Sequence, residues 1–144
     1  MSKTVIVFWA VLVLAILAGA GVILYVVEDQ KNDVFTNMKN VTKIEYSYGT
    51  DTKKEVRNSF ARKLRNADRY TFEELDKKTT NDNDLKARPN FVFYDKDKKE
   101  LYNIYIKDQR SNLIIVLVGK KEIKEYSVKN SDLIDYIRNI IMEL

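Results

Sequence analysis

The 144-residue chain carries 21 Asp and Glu side chains but neither His nor Cys, and that combination bounds the chemistry it can perform. A Ser-His-Asp triad, a Cys-His pair, a thiol redox couple and a usual structural zinc site each need an imidazole or a thiolate, so all four are excluded. Carboxylate-only catalysis survives, because glycoside hydrolysis needs two acids at a set separation across a cleft. Glu73 and Glu74, or Asp82 and Asp84, are the candidates. Adjacent acids on a strand point to opposite faces, and a polar loop sets no separation, so the chain is not expected to be an enzyme. Asp95, Asp97 and Lys99 begin like a calcium loop. The third ligand position is lysine, no Gly follows it and Ile106 stands twelfth, which excludes an EF-hand. Asn81, Asp82, Asn83 and Asp84 offer oxygens for adventitious cation binding only, and no metal or cofactor is expected.

Two further sets of side chains are suited to binding. Lys53, Lys54, Arg57, Arg62, Lys63, Arg65 and Arg69 cluster with few acids between them. They read either as a surface for anionic headgroups or a phosphate-bearing wall polymer, or as the solvated face of a helix packed on a sheet. Nucleic acid would use the same charge, but no reading motif accompanies it and none is expected as a partner. Tyr46, Tyr48, Tyr94, Tyr102, Tyr105 and Tyr126 fall on expected strands. They read as an aromatic binding surface on a sheet face left open by the helices, or as residues that suit half-buried strands.

The elements that position these residues begin with an anchor. Thr4 to Val27 is an uncharged, apolar run of 24 residues, which at about 1.5 Å per residue spans a hydrocarbon core of about 30 Å. Ala18-Gly19-Ala20 has the form of a signal-peptide cleavage site, but apolar residues continue to Val27, and Trp9 and Tyr25 lie near the two interface levels of a spanning helix. An uncleaved transmembrane helix over 1–27 is expected. Lys3 before it, with Glu28 and Asp29 after it, favours a cytoplasmic N-terminus and a single-pass protein of the cell membrane with its C-terminal domain outside. Ala15 and Gly19 form a small-xxx-small pair that would let two such helices approach as a homodimer.

Residues 28–40 read as a polar stalk, and 41–144 as one small domain with one core. Val41–Tyr48 alternates as a strand until Gly49. Thr52 and Glu55 make a capping-box pattern for a helix bearing Val56, Phe60, Leu64 and Ala67 on one face. Residues 70–88 read as a long loop, with Tyr70-Thr71-Phe72 as a short edge strand. Phe91–Tyr94 and Leu101–Lys107 form a hairpin around Asp95–Lys99. Leu113–Val118, apolar on both faces, reads as an interior strand, and Ile123–Val128 alternates again. A final helix is capped at Asn130 or Ser131 and buries Leu133, Ile137, Ile140 and Leu144, with Ile134 and Ile141 widening the stripe.

The expected fold class is α+β: a transmembrane helix followed by a β-α-β4-α domain, with an antiparallel sheet carrying its helices on one face. In element order this is similar to the TATA-binding-protein-like fold and, without the last helix, to cystatin-like domains. The layout of one N-terminal span and about a hundred following residues also resembles the small membrane-anchored extracytoplasmic domains of unknown function found in Gram-positive bacteria. That resemblance implies an extracytoplasmic home and assigns no residue a role. The expected function is noncatalytic binding, sensing or immunity-type recognition of a protein or envelope ligand, through the sheet or the 70–88 loop. The alternatives are a carboxylate-dependent enzyme acting on cell-wall glycan and an accessory subunit of a membrane complex.

Overall fold

Alternation of apolar and polar residues with a period of two puts one side of each strand in the core, and five such segments form the centre of the sheet in the computed structural model. Its backbone is described except at residues 1, 50, 51, 77–81 and 109–111, and its side chains except at these and at 19–29, 82, 83 and 108. The chain divides into two units, Met1–Lys31 and Asn32–Leu144.

The first unit is a single 28-residue helix, α1, Lys3–Gln30. Val5, Ile6, Val7, Phe8, Trp9, Val11, Leu12, Val13, Leu14, Ile16 and Leu17 are all exposed, so consecutive positions around the whole circumference are apolar and uncovered. Among the described residues no helix is long and apolar enough to cross a membrane. In α1 the described side chains run unbroken only as far as Ala18, and the stretch from Lys3 to that point covers about 24 Å, short of a bilayer core. The Gly19–Ala20 part of the cleavage-like motif, Gly19 of the small-residue pair and the Tyr25 ring lie outside the described side chains.

The second unit is α+β. Strands β1 (Lys43–Tyr48), β2 (Lys54–Val56), β3 (Phe72–Glu74), β4 (Pro89–Tyr94), β5 (Glu100–Asp108), β6 (Leu113–Val118) and β7 (Ile123–Val128) form one seven-stranded sheet in the order β2-β1-β4-β5-β6-β7-β3. Every pairing is antiparallel. The five expected strands are its contiguous middle. Two three-residue strands extend its edges, so the domain departs from a simple β-α-β4-α order. The interior position expected of Leu113–Val118 is observed, between β5 and β7.

Helices α2 (Ser59–Asn66) and α4 (Ser131–Glu143) contribute Phe60, Ala61, Leu64, Leu133 and Ile137 to the same core as the strand residues Ile44, Phe91, Phe93, Ile104, Ile106, Leu113 and Ile115. The α4 cap is Asn130, whose side chain accepts from Leu133 N at 3.1 Å. The expected start of the first domain helix is corrected: Lys54–Val56 pairs with Ile44–Tyr46 as the second arm of a hairpin, and the helix begins only at Ser59. Gly49 makes this turn with φ +60, a conformation glycine adopts without a Cβ clash.

From Asn32 onward the segment expected as stalk is part of the folded unit. Phe35 is fully buried and Met38 nearly so. Phe35 packs edge-to-face on Phe72 at 4.9 Å and on Tyr102 at 5.4 Å. Asn32 fastens this segment: its Nδ2 donates to the Leu64 and Ala67 carbonyls, each at 2.8 Å, and its Oδ1 accepts from Phe35 N at 3.0 Å. One buried amide thereby satisfies carbonyls that the end of α2 leaves without an intrahelical partner.

The second sheet face is also covered in part. Val116, Glu125 and Ser127 face away from the helices, as their register opposite Tyr105, Val116 and Ile114 requires, yet all three are buried. The chain leaves edge strand β3 at Leu75, whose N–H donates to the Glu125 carbonyl at 2.8 Å, and enters β4 at Pro89. Leu85 in the short helix α3 (Asp82–Leu85) is buried but stands outside the helix-side core, and the Arg88 guanidinium donates to the Lys107 carbonyl. On the outer face the Lys107 ammonium lies 3.0 Å from the Glu125 carboxylate.

Candidate functional site

The β4–β5 hairpin tip is built by one carboxylate. Asp95 Oδ1 accepts from Asp97 N at 2.8 Å and Lys99 N at 2.9 Å, an Asx-type turn. The calcium-like spacing of Asp95, Asp97 and Lys99 thus corresponds to a backbone turn with Asp95 as its anchor. Lys98 closes it with φ 62, the left-handed region that costs a residue with a side chain about 1–2 kcal/mol. The turn aims its lysines at a groove of about 470 Å³ lined by Lys43, Lys53, Tyr94, Lys96 and Lys98, with Glu45 and Thr42. Lys43 and Lys53 stand 3.0 and 3.8 Å from Glu45, whereas Lys96 and Lys98 make no ion pair among the described residues. The hydrogen bond from Lys43 holds the Glu45 carboxyl below its usual range, against the opposing effect of burial. Four ammonium groups therefore share the groove with two carboxylates, Glu45 paired with Lys43 and Lys53, and Asp95 engaged by the backbone of the turn. The groove can hold an anion against the Tyr94 ring edge.

Lys98→Gly is expected to relieve the turn strain, raising stability by up to about 1 kcal/mol after the entropic cost of glycine, while weakening anion binding. Urea titration together with a binding isotherm checks both signs.

The expected basic set is not one surface. Lys53 lines the hairpin-tip groove, Arg57 lies in a groove beside the end of α4, and Arg62 and Lys63 line a third between α2 and the start of α4. Lys54 donates to the Leu144 carbonyl, Arg65 is half-buried, and Lys63 and Arg69 stack over Tyr136 and Tyr70 at 4.8 and 4.9 Å. The tyrosine set divides by face. Tyr46, Tyr102 and Tyr126 are buried on the helix side, Tyr48 is exposed at a strand end, and Tyr94 and Tyr105 are half-buried on the opposite face. A continuous aromatic surface of all six is therefore corrected to two outer-face residues, of which Tyr94 meets Lys53 in the groove. Lys43, Lys96 and Lys98 were legible as charged residues, but only the hairpin geometry joins them.

Burial pushes the Tyr102 and Tyr126 hydroxyls up in pKa. The folded chain then keeps protons that the unfolded chain releases, so this stability is complete below about pH 10 and is lost as pH rises through the raised values. The thermal midpoint is expected to fall above about pH 10, and to fall less steeply in Tyr126→Phe.

Of the two candidate acid pairs, Glu73 and Glu74 do not share a face. Glu73 lies 3.3 Å from Lys129 and opposite Ser127, whereas Glu74 lies opposite Tyr126 on the other face, as adjacent strand residues must. Asp84 is exposed, and the Asp82 side chain lies outside the described residues. Glu74 instead joins Asp33, Glu122 and Lys124 around a pocket of about 410 Å³ floored by Phe72 and Tyr126. All three of these acids are exposed, without the apolar cover that keeps a general acid protonated. Among the described residues no group of three or more acidic ligands is placed to hold a metal.

No protein-family model, curated protein or solved structure matches the chain. The fold therefore defines a class only: an α+β unit with a seven-stranded antiparallel sheet, preceded by an apolar helix.

Proposed function

We propose that the chain is a membrane-tethered, noncatalytic recognition domain that binds an anionic envelope ligand in the hairpin-tip groove. The observation that carries this reading is the convergence of Lys43, Lys53, Lys96 and Lys98 on one groove with Tyr94, in which Glu45 is the only acid not engaged by the turn. The strained conformation of Lys98 supports it, because backbone strain persists where a side chain is held for a purpose other than stability.

The tether is α1. Its exposed apolar circumference has no cover within its own unit, and the uncharged run Thr4–Val27 lies wholly inside it. Lipid is the solvent that suits such a surface. Lys3 before the run, with Glu28 and Asp29 after it, supports an orientation with the recognition domain outside the cell membrane. A helix that holds the domain within a short distance of the envelope raises the local concentration of any polymer found there.

The ligand class is a phosphate- or carboxylate-bearing polymer, since four point charges on flexible stems suit repeated anions better than one bidentate group. Titration of the full chain in detergent micelles with polyphosphate tests this. Saturable binding that weakens with added salt and is lost in Lys43→Gln/Lys53→Gln/Lys96→Gln/Lys98→Gln is expected. Binding unaltered by those substitutions, or no binding at low salt, refutes the reading.

A further inference from the structure

The four lysines of the hairpin-tip groove are not equivalent. Lys43 and Glu45 sit two residues apart on β1 and so point to the same, outer face, where the Lys43 ammonium approaches Glu45 Oε1 to 3.0 Å. Lys53, arriving from the β1–β2 hairpin, stands 3.8 Å from Oε2. One carboxylate thus gives an oxygen to each of two lysines. Tyr94 lies opposite Lys43 in the strand register, beside the same carboxyl. Lys96 and Lys98, on the β4–β5 turn, make no ion pair among the described residues, and Asp95 accepts from the amides of that turn.

Exposure shows which partner is the inner one. The Glu45 side chain keeps 21%, against 50% for Lys43 and 68% for Lys53, so the carboxylate lies in the groove and the ammonium groups reach it from the solvent side. The hydrogen bond between them holds the Glu45 carboxyl below its ordinary range and raises Lys43, which keeps both groups charged at neutral pH. An anion entering the groove therefore meets two ammonium groups that are already neutralised and two that are not. Ion pairs this exposed are weak and screened, so one oxyanion can replace another on the same lysines.

We propose that Glu45 is a tethered competitor of the ligand: after first contact at Lys96 and Lys98, a phosphate or carboxylate of the polymer takes the place of Glu45 on Lys43 and Lys53. The inference rests on the anionic-ligand reading of the groove and adds the residue that sets its affinity. A lone anion competes with a carboxylate whose local concentration is fixed by its own strand. A polymer held at the turn competes on equal terms, because its next anion is tethered too.

The full chain in detergent micelles, titrated with polyphosphate near pH 7 at fixed ionic strength, tests this. Glu45→Gln, which keeps the size of the side chain and removes its charge, is expected to tighten binding about fivefold. Asp97→Asn is the control, since it removes one charge from between Lys96 and Lys98 on the turn where no ion pair is released, and it is expected to change the affinity by less than about twofold. Far-UV circular dichroism establishes that both variants are folded. Equal gains in the two variants overturn the proposal, because loss of negative charge alone then accounts for both. A Glu45→Gln chain that binds polyphosphate as wild type does, or more weakly, overturns it and leaves the groove reading standing. No binding by wild type or either variant overturns both.

Discussion

Phe35→Ala is expected to lower the stability of the folded unit by about 3–5 kcal/mol, the usual cost of emptying a fully buried aromatic site. The cost should be at the upper end because the ring does more than fill space. It makes edge-to-face contacts with Phe72 and Tyr102, and through Tyr102 it joins a series of rings that continues over Phe93 and Phe60 to Phe91 and Tyr46. Its backbone N–H is held by Asn32, so the segment cannot shift to close the cavity without breaking the buried amide that ties α2. Urea denaturation followed by tyrosine fluorescence measures the loss. A cost below about 1 kcal/mol, ordinary for a surface position, would mean that 32–40 is a stalk after all.

Glu125→Leu is the second large effect, expected to cost about 3 kcal/mol. Removing one partner of a buried ion pair leaves the other charge in a poorly hydrated place, and the lower end of the usual range applies because the Lys107 side chain keeps 22% exposure. The sign should reverse in the double variant Glu125→Leu/Lys107→Met, which is expected near wild-type stability or above it, since desolvation of both charges offsets much of their attraction. Equal losses in the single and double variants would show that the pair does not act as a unit. A double-mutant cycle on urea midpoints separates these outcomes. Leu85, in the chain between β3 and β4, is buried outside the helix-side core. A loss in Leu85→Ala that is not additive with Glu125→Leu would place both beneath the same cover.

Period-two alternation was enough to find β1, β4, β5, β6 and β7, because a strand with one face in the core writes that face into every second residue. The same pattern cannot say which face the helices cover. Tyr46, Tyr102 and Tyr126 alternate with polar neighbours whether they line a binding surface or a core, and only the packing of α2 and α4 decides. The reading failed at Lys54–Val56 for a related reason. Thr52 and Glu55 fit a helix cap locally, but Val56 gains a partner in Ile44 across a hairpin, and that gain depends on the rest of the sheet. Phe35 and Met38 looked like scattered apolar residues in a polar stretch, since their partners Phe72 and Tyr102 are far along the chain. The lysine groove combines residues from β1, the β1–β2 hairpin and the β4–β5 turn, and the Tyr126 pocket combines residues from 33 to 126. Charges carry no periodic signature, so neither grouping was visible before the strands were paired.

The most direct test of the tethered-recognition account is capture of labelled polyphosphate by vesicles reconstituted with the full chain, floated through a density gradient after an alkaline wash. The account predicts that protein and label float together, and that Lys43→Gln/Lys53→Gln/Lys96→Gln/Lys98→Gln floats without the label. Protein stripped by the wash would contradict the tether, and label carried equally by the substituted protein would contradict the groove.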